Sequence, residues 1–139
     1  DIGMPDRHAL VVANPAKDAY VFLGSPEGEL ALAQAVVYLA SAPKSKAVYK
    51  AFGAARHAAE EHGSLTPPAH ILNAPTGLMR KLGYGSGYEY DHETEEAFSG
   101  QNYFPDDMAR ERFYTPTDRG FEQEISKRLA RWAKLREKK

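Results

Sequence analysis

Residues 25–45 read SPEGELALAQAVVYLASAPKS, and this stretch decides the fold. Ser25 is placed to cap a helix whose first helical position is Pro26, where a missing N–H costs nothing. Beyond it Leu30, Ala31, Leu32, Ala33, Ala35, Val36, Val37, Leu39 and Ala40 leave only Gln34 and Tyr38 as polar handles. A helix with no polar face has to be surrounded by protein. Pro43 ends it, because the residue before a proline is pushed out of the helical region, and Ser45 is placed to cap the next helix. The pattern predicts an all-α, mainly helical chain organised about this segment.

Upstream, residues 6–23 carry a helical pattern with Asp6 as cap. Ala9, Leu10, Val12, Ala13, Ala16, Tyr20 and Leu23 form its apolar face. Pro15 falls in the middle, and an interior proline costs about 3 kcal/mol in a regular helix, so a kink or two shorter helices are expected before Gly24 stops the segment. Downstream, a third helix is expected over 46–62, with Ala47, Val48, Ala51, Phe52, Ala55 and Ala59 inward and Gly63 at its end. Gly53 inside it costs about 1 kcal/mol against alanine and points to the close approach of a neighbouring helix.

After Gly63 the composition changes. SLTPPAHILNAP is an irregular crossing, followed by a short helix over Thr76–Leu82, capped near Asn73 or Thr76 and stopped by Gly83. From there to Tyr114 glycines alternate with Tyr84, Tyr88, Tyr90, Phe98, Tyr103, Phe104, Phe113 and Tyr114. Each ring buries about 150–250 Å² when it docks, so 83–114 reads as an extended Gly/Tyr-rich strap laid over the helices, with DDMARER (106–112) as one helical turn. Thr115 and Pro116 open a last helix with Asp118 near its positive end, and Phe121, Ile125, Leu129, Trp132 and Leu135 make one stripe. The candidate packing core is Leu32, Val36, Leu39, Phe52, Phe121, Ile125, Leu129 and Trp132.

Size and composition set the frame for function. A chain of 139 residues with 42% hydrophobic and 27% charged residues suits one globular domain, 1–139, without internal repeats. A net charge of −1 gives no global attraction for nucleic acid or an anionic membrane. The absence of cysteine excludes disulfides, thiolate zinc sites and a cysteine nucleophile, and fits a cytoplasmic protein. The longest apolar run falls short of the roughly 20 residues that span a bilayer, so no membrane partner is expected. No signal peptide is visible, and an opening at Asp1 with DIGMPD leads us to expect a fragment of a longer protein.

The motifs argue against an active site contained in this chain. Lys44-Ser45 has the end of a phosphate-binding loop without its glycines and reads as a helix cap. Gly83, Gly85 and Gly87 form GYGSG, but they follow a helix instead of a strand and read as a tight turn. His57 and His62, five apart, lie on different faces of a helix, and Glu60/Glu61 and Asp106/Asp107 are adjacent pairs that diverge in one. No serine sits in a GxSxG elbow. Catalytic, cofactor-binding and metal-binding residues are therefore expected to be none. Two charge clusters remain. The acidic 91–96, DHETEE, reads as an exposed loop. Lys127, Arg128, Arg131, Lys134, Arg136, Lys138 and Lys139 stand against Glu137 alone, and read either as a DNA-backbone surface, with Lys127, Arg131, Lys134, Arg136, Lys138 and Lys139 as candidate contacts, or as a solvated helix end whose cations suit its negative pole.

Several blocks in order carry a resemblance. LAQAVVYLASAPKSKAVYKA (32–51), NAPTGLMRKLGYGSGYEY (73–90), QNYFPDDM (101–108) and RFYTPTDRGFE (112–122) resemble the C-terminal region of the replication-associated recombination protein A / Werner-helicase-interacting protein family, clamp-loader-like AAA+ ATPases. DIGMPDRHAL is similar to the family's DIG-x-AD-x-x-AL segment, which follows the ATPase module and its lid. Pro15 stands where the family usually has an uninterrupted alanine-rich helix, and Ser86 where it commonly has lysine. The resemblance implies a helical collar-type domain that assembles the ATPase into a homotetramer. For the parent protein it implies ATP and magnesium bound upstream, DNA-dependent ATPase activity, partnership with DNA and single-strand-binding protein at stalled forks, and a nucleoid-associated location. The alternative from a different class is a DNA- or protein-docking module acting through the basic last helix or the aromatic strap.

Overall fold

A computed structural model describes residues 2–138 and contains five α-helices and no strand among them. These are α1 (Ala9–Leu23), α2 (Glu27–Ser41), α3 (Ala47–His62), α4 (Gly77–Lys81) and α5 (Glu122–Glu137), with 3-10 turns at Met4–Asp6, Ala69–Ile71 and Asp91–Glu93. The all-α class is as the sequence predicts. Two compact units form, one from the residues up to Ala54 with Phe113–Leu129, the other from Ala55–Arg112 with the residues from Ala130 onward.

In the first unit α1 packs on α2 through small residues. Ala9 and Ala16 of α1 and Gly28 and Ala35 of α2 are buried, and a Cβ on Gly28 would stand 2.7 Å from the Tyr20 Cα. The close helix approach therefore lies at Gly28 and not at Gly53, around which a Cβ would meet nothing within 4 Å. Gly53→Ala should accordingly raise stability by about 0.5–1 kcal/mol, read as a higher urea midpoint, because the helix interior gains propensity without a clash. The buried row of α3 is also displaced from the expected one: Ala47 and Ala58 are buried, whereas Val48, Phe52 and Ala59 are exposed.

Several local expectations change for identifiable reasons. Helix α1 runs unbroken through Pro15, which lies with Val11 on its exposed side, where water can take the bond that the missing N–H leaves open. Ser25 does not cap α2; its hydroxyl donates to the Glu29 carboxylate at 2.5 Å, and Pro26 holds the N-cap position. The C-terminal end of α2 is closed as expected by the following residues. Lys44 Nζ donates to the carbonyls of Leu39 (2.6 Å), Ala40 (3.2 Å) and Ala42 (2.7 Å), three of the acceptors a helix end leaves open, and Ser45 Oγ accepts from the Ala47 N–H at 3.1 Å. Thr76 caps α4 by accepting from Met79 N–H at 3.2 Å.

Helix α5 begins at Glu122, not at Thr115–Pro116. Gly120 has φ +48° and passes so close to the N-terminal turn that a Cβ on it would lie 2.2 Å from the Pro5 carbonyl oxygen, to which the next N–H, that of Phe121, donates at 2.9 Å. The chain is thus turned by 117–121 before it can helicise. The segment 83–114 is irregular apart from the turn at Asp91–Glu93; DDMARER holds no helix, only a reverse turn in which Met108 N–H donates to the Pro105 carbonyl at 2.9 Å. In the second unit Phe98 of this segment stacks on Trp132 of α5 with ring centres 5.6 Å apart.

Candidate functional site

The expected packing core needs correction, and the correction locates the site. Leu39, Phe121, Ile125 and Leu129 are half-buried, whereas Leu32, Val36, Phe52 and Trp132 are exposed. The buried hydrophobic residues of the described chain are alanines. Alanine has one methyl to bury, so a crossing built from it brings two helices close and leaves the larger side chains on the far sides. Helix α2 is the clearest case. Its α1-facing side carries Gly28, Ala31 and Ala35, and its far side carries Leu30, Ala33, Val37 and Ala40 at three-, four- and three-residue steps with Val36 beside them. Leu30 is 74% exposed, Val36 64% and Val37 69%. Steps of three and four keep one line along a helix, the spacing by which helices pack against helices.

The same unit exposes apolar side chains on α1 and α3. Leu10, Val11, Val21 and Phe22 lie on the outer side of α1, and Val48, Tyr49 and Phe52 on the first half of α3. Leu10 was expected inward; the inward row is Ala9, Val12, Ala13, Ala16 and Ala19. The signal was present in the sequence, since apolar residues at both phases of one helix mean two apolar faces, and a single chain covers one of them.

A polar latch holds the frame of this surface. Glu122, at the start of α5, is wholly buried and accepts from the Tyr114 hydroxyl (2.8 Å), the Thr117 N–H (2.8 Å) and the Thr117 hydroxyl (2.6 Å), with the Ser45 hydroxyl adding a further bond. Burial pushes the carboxyl pKa up, but the bonds from Thr117, Tyr114 and Ser45 outweigh it and the net shift is downward. Burial, then the neighbouring carboxylate, raises the Tyr114 hydroxyl. Arg119 Nη1 donates to the Lys44 carbonyl at 2.9 Å, and the guanidinium carbons of Arg7 and Arg128 lie 4.3 and 5.7 Å from the Phe121 ring centre. Tyr38, the polar handle of α2, donates to Asp6 at 2.7 Å, a bond that lowers the Asp6 pKa and raises that of Tyr38.

The candidate DNA contacts do not form a row of free cations. Lys127 pairs with Glu124 at 2.8 Å, and Arg131 with Glu96. Arg136 lies over the Phe98 ring at 5.0 Å, its Nε buried without a hydrogen-bond partner and its pKa lowered by burial and then by Arg110. Lys134 and Lys138 are exposed, and Lys139 lies outside the described residues. No group of three or more His, Asp or Glu side chains converges for a metal ion among the described residues. His57 pairs instead along the α3 surface with Glu61 at 3.5 Å. No helix in the described residues is long and apolar enough to cross a membrane.

Comparison with known proteins gives a consistent result. The family described as MgsA AAA+ ATPase C terminal matches residues 1–133. Replication-associated recombination protein A of Escherichia coli K12 is 48% identical over 131 residues, 94% of this chain and 29% of that protein. The protein of the same name from Coxiella burnetii is 47% identical over 138 residues, 99% of this chain and 31% of the relative. ATPase WRNIP1 of Dictyostelium discoideum is 37% identical over 115 residues, 82% of this chain and 13% of the relative. The chain thus spans less than a third of the length of these relatives.

Proposed function

This chain belongs to the C-terminal family of MgsA-type AAA+ ATPases, and on that premise we propose that it is the part through which such an ATPase assembles with copies of itself, as a homotetramer. The carrying observation is the far side of α2, where Leu30 and Val37 stand in water although they lie in line for helix packing, with exposed Val36 beside them. Monomeric proteins rarely leave such faces open, and taking one Val or Leu side chain fully out of water stabilises by about 1.5–3 kcal/mol. The chain adds no catalytic group of its own. ATP and magnesium are held by the rest of the longer protein, which acts in replication-associated recombination at stalled forks in the cytoplasm, at the nucleoid, and reaches DNA and single-strand-binding protein.

Direct docking on DNA through the last helix is the weaker reading, because Lys127, Arg131 and Arg136 are engaged within the chain. The two readings separate by mutation. Leu30→Glu with Val37→Glu places charges on the exposed line without touching the α1 side, so helix content by circular dichroism should stay while sedimentation gives a monomer. Lys134→Gln with Lys138→Gln should leave the assembly as it is. Unchanged assembly of the glutamate variant contradicts the proposal.

A further inference from the structure

The second unit brings two arginines to one bend of the chain, residues 98–101, without giving either a carboxylate. Trp132 and Arg136 stand four apart on α5 and so share one side of it. Phe98 stacks on Trp132 with the ring planes 7° apart, and the Arg136 guanidinium lies over the Phe98 ring at 5.0 Å. Gly100, at φ +73°, lets the chain pass against the Arg136 stem, since a Cβ there would stand 3.2 Å from its Cγ. The next residue receives the second arginine: Arg110 Nη1 donates to the Gln101 carbonyl at 3.4 Å. Gln101 is itself held, because its side-chain amide clamps the chain beyond the GYGSG turn. Its Nε2 donates to the Gly87 carbonyl at 2.7 Å and its Oε1 accepts from the Glu89 N–H at 3.0 Å.

Neither arginine is in an ion pair among the described residues. Glu96, the acid of the irregular segment that reaches α5, is taken by Arg131. Asp106, Asp107 and Glu111, near Arg110 in sequence, are exposed and pair with neither. The Nε of Arg136 is buried without an acceptor, and the charge that acts on this guanidinium, after burial, is the like charge of Arg110. A buried donor without a partner and two neighbouring like charges are both costs that a folded chain ordinarily removes. An oxyanion removes both at once. A carboxylate offers one negative charge to two positive ones, whereas a phosphate monoester offers nearly two, with oxygens that guanidinium forks match in pairs. We propose that Arg110 and Arg136 form a site for a dianionic phosphate, as the free ion or as the monoester end of a small molecule.

Trp132 is the one tryptophan of the chain and stacks on the ring that Arg136 covers, so its fluorescence reports the site. The test titrates inorganic phosphate, glycerol phosphate and dimethyl phosphate, a monoanion, into the 139-residue chain. Ionic strength is held constant with chloride, the pH is kept above the second phosphate pKa of about 6, and calorimetric heat is read beside fluorescence. Saturable binding of inorganic phosphate is expected, weakened about ten-fold or more by Arg110→Gln and by Arg136→Gln. Arg110 is exposed, so its replacement leaves the stack of Phe98 on Trp132 in place. Tighter binding of glycerol phosphate than of inorganic phosphate assigns the site to a small monoester, and the reverse order to the free ion. No saturable signal by either method, equal binding of dimethyl phosphate, or unchanged affinity in Arg110→Gln overturns the proposal. So does an oligothymidylate without terminal phosphates that binds more tightly than inorganic phosphate and is lost in Arg110→Gln, since the arginines would then serve a nucleic-acid backbone.

Discussion

Glu122→Ala should destabilise the chain by about 3 kcal/mol, read as a fall in the urea midpoint, since it strips the wholly buried acceptor from two Thr117 donors and the Tyr114 hydroxyl, which are themselves half-buried. Hydrogen bonds to a charged group contribute about 1.5–3 kcal/mol each, and donors left buried without partners cost more than bonds merely lost. Glu122→Gln keeps the shape and should cost less. The pair also fixes a pH dependence. The folded-state pKa of Glu122 lies below its ordinary value of 4.5, so its contribution is fully present above the unfolded pKa and is lost as pH falls through the folded one. Between pH 7 and pH 3 the natural chain should therefore lose more stability than Glu122→Gln. Its bonds come from Thr117, Tyr114 and Ser45, all neutral, so added salt should change the difference little.

Gly28→Val should be comparably damaging, by about 3 kcal/mol, for a steric reason. The new side chain would begin 2.7 Å from the Tyr20 Cα and 3.2 Å from the Tyr20 carbonyl oxygen, so α1 and α2 would have to separate along the crossing that Ala9, Ala16 and Ala35 close. Overpacking against side chains costs about 1–3 kcal/mol, and backbone yields less than a side chain does. The sign is opposite to that for Gly53→Ala, where the space is open. Thermal unfolding of both variants checks the pair of statements, and a neutral Gly28→Val would show that the crossing is looser than described.

The helices were legible because local chemistry marks them: Gly24, Pro43 and Gly63 bound apolar periodicity, and Thr76 caps α4 through its own third neighbour. What lay hidden depends on residues far apart in sequence. The start of α5 is set by Gly120 meeting Pro5, and the latch joins Ser45 to Glu122, so neither follows from a window of neighbouring residues. The candidate core failed for a subtler reason. Periodicity gives the faces of a helix but not what covers them, and in α2 both faces are apolar while α1 covers the alanine side. Val36 thus has the pattern of an interior residue while the chain leaves it in water, and Phe52 of α3 is exposed likewise. The basic helix was legible as charge, but its pairing of Arg131 with Glu96 depends on the path of the 83–114 segment, 35 residues away in sequence. The GYGSG turn was readable as a turn; the clamp on the chain beyond it was not, because it comes from Gln101, well beyond the turn.

The central claim is that copies of this chain cover one another along the exposed line of α2. Light scattering of the purified chain over a wide range of concentrations tests it most directly. The account predicts a mass several times that of one 15.4 kDa chain, reaching four copies as concentration rises, and a return to one copy in Leu30→Glu with Val37→Glu. A natural chain that stays at the mass of a single copy throughout the range would contradict it.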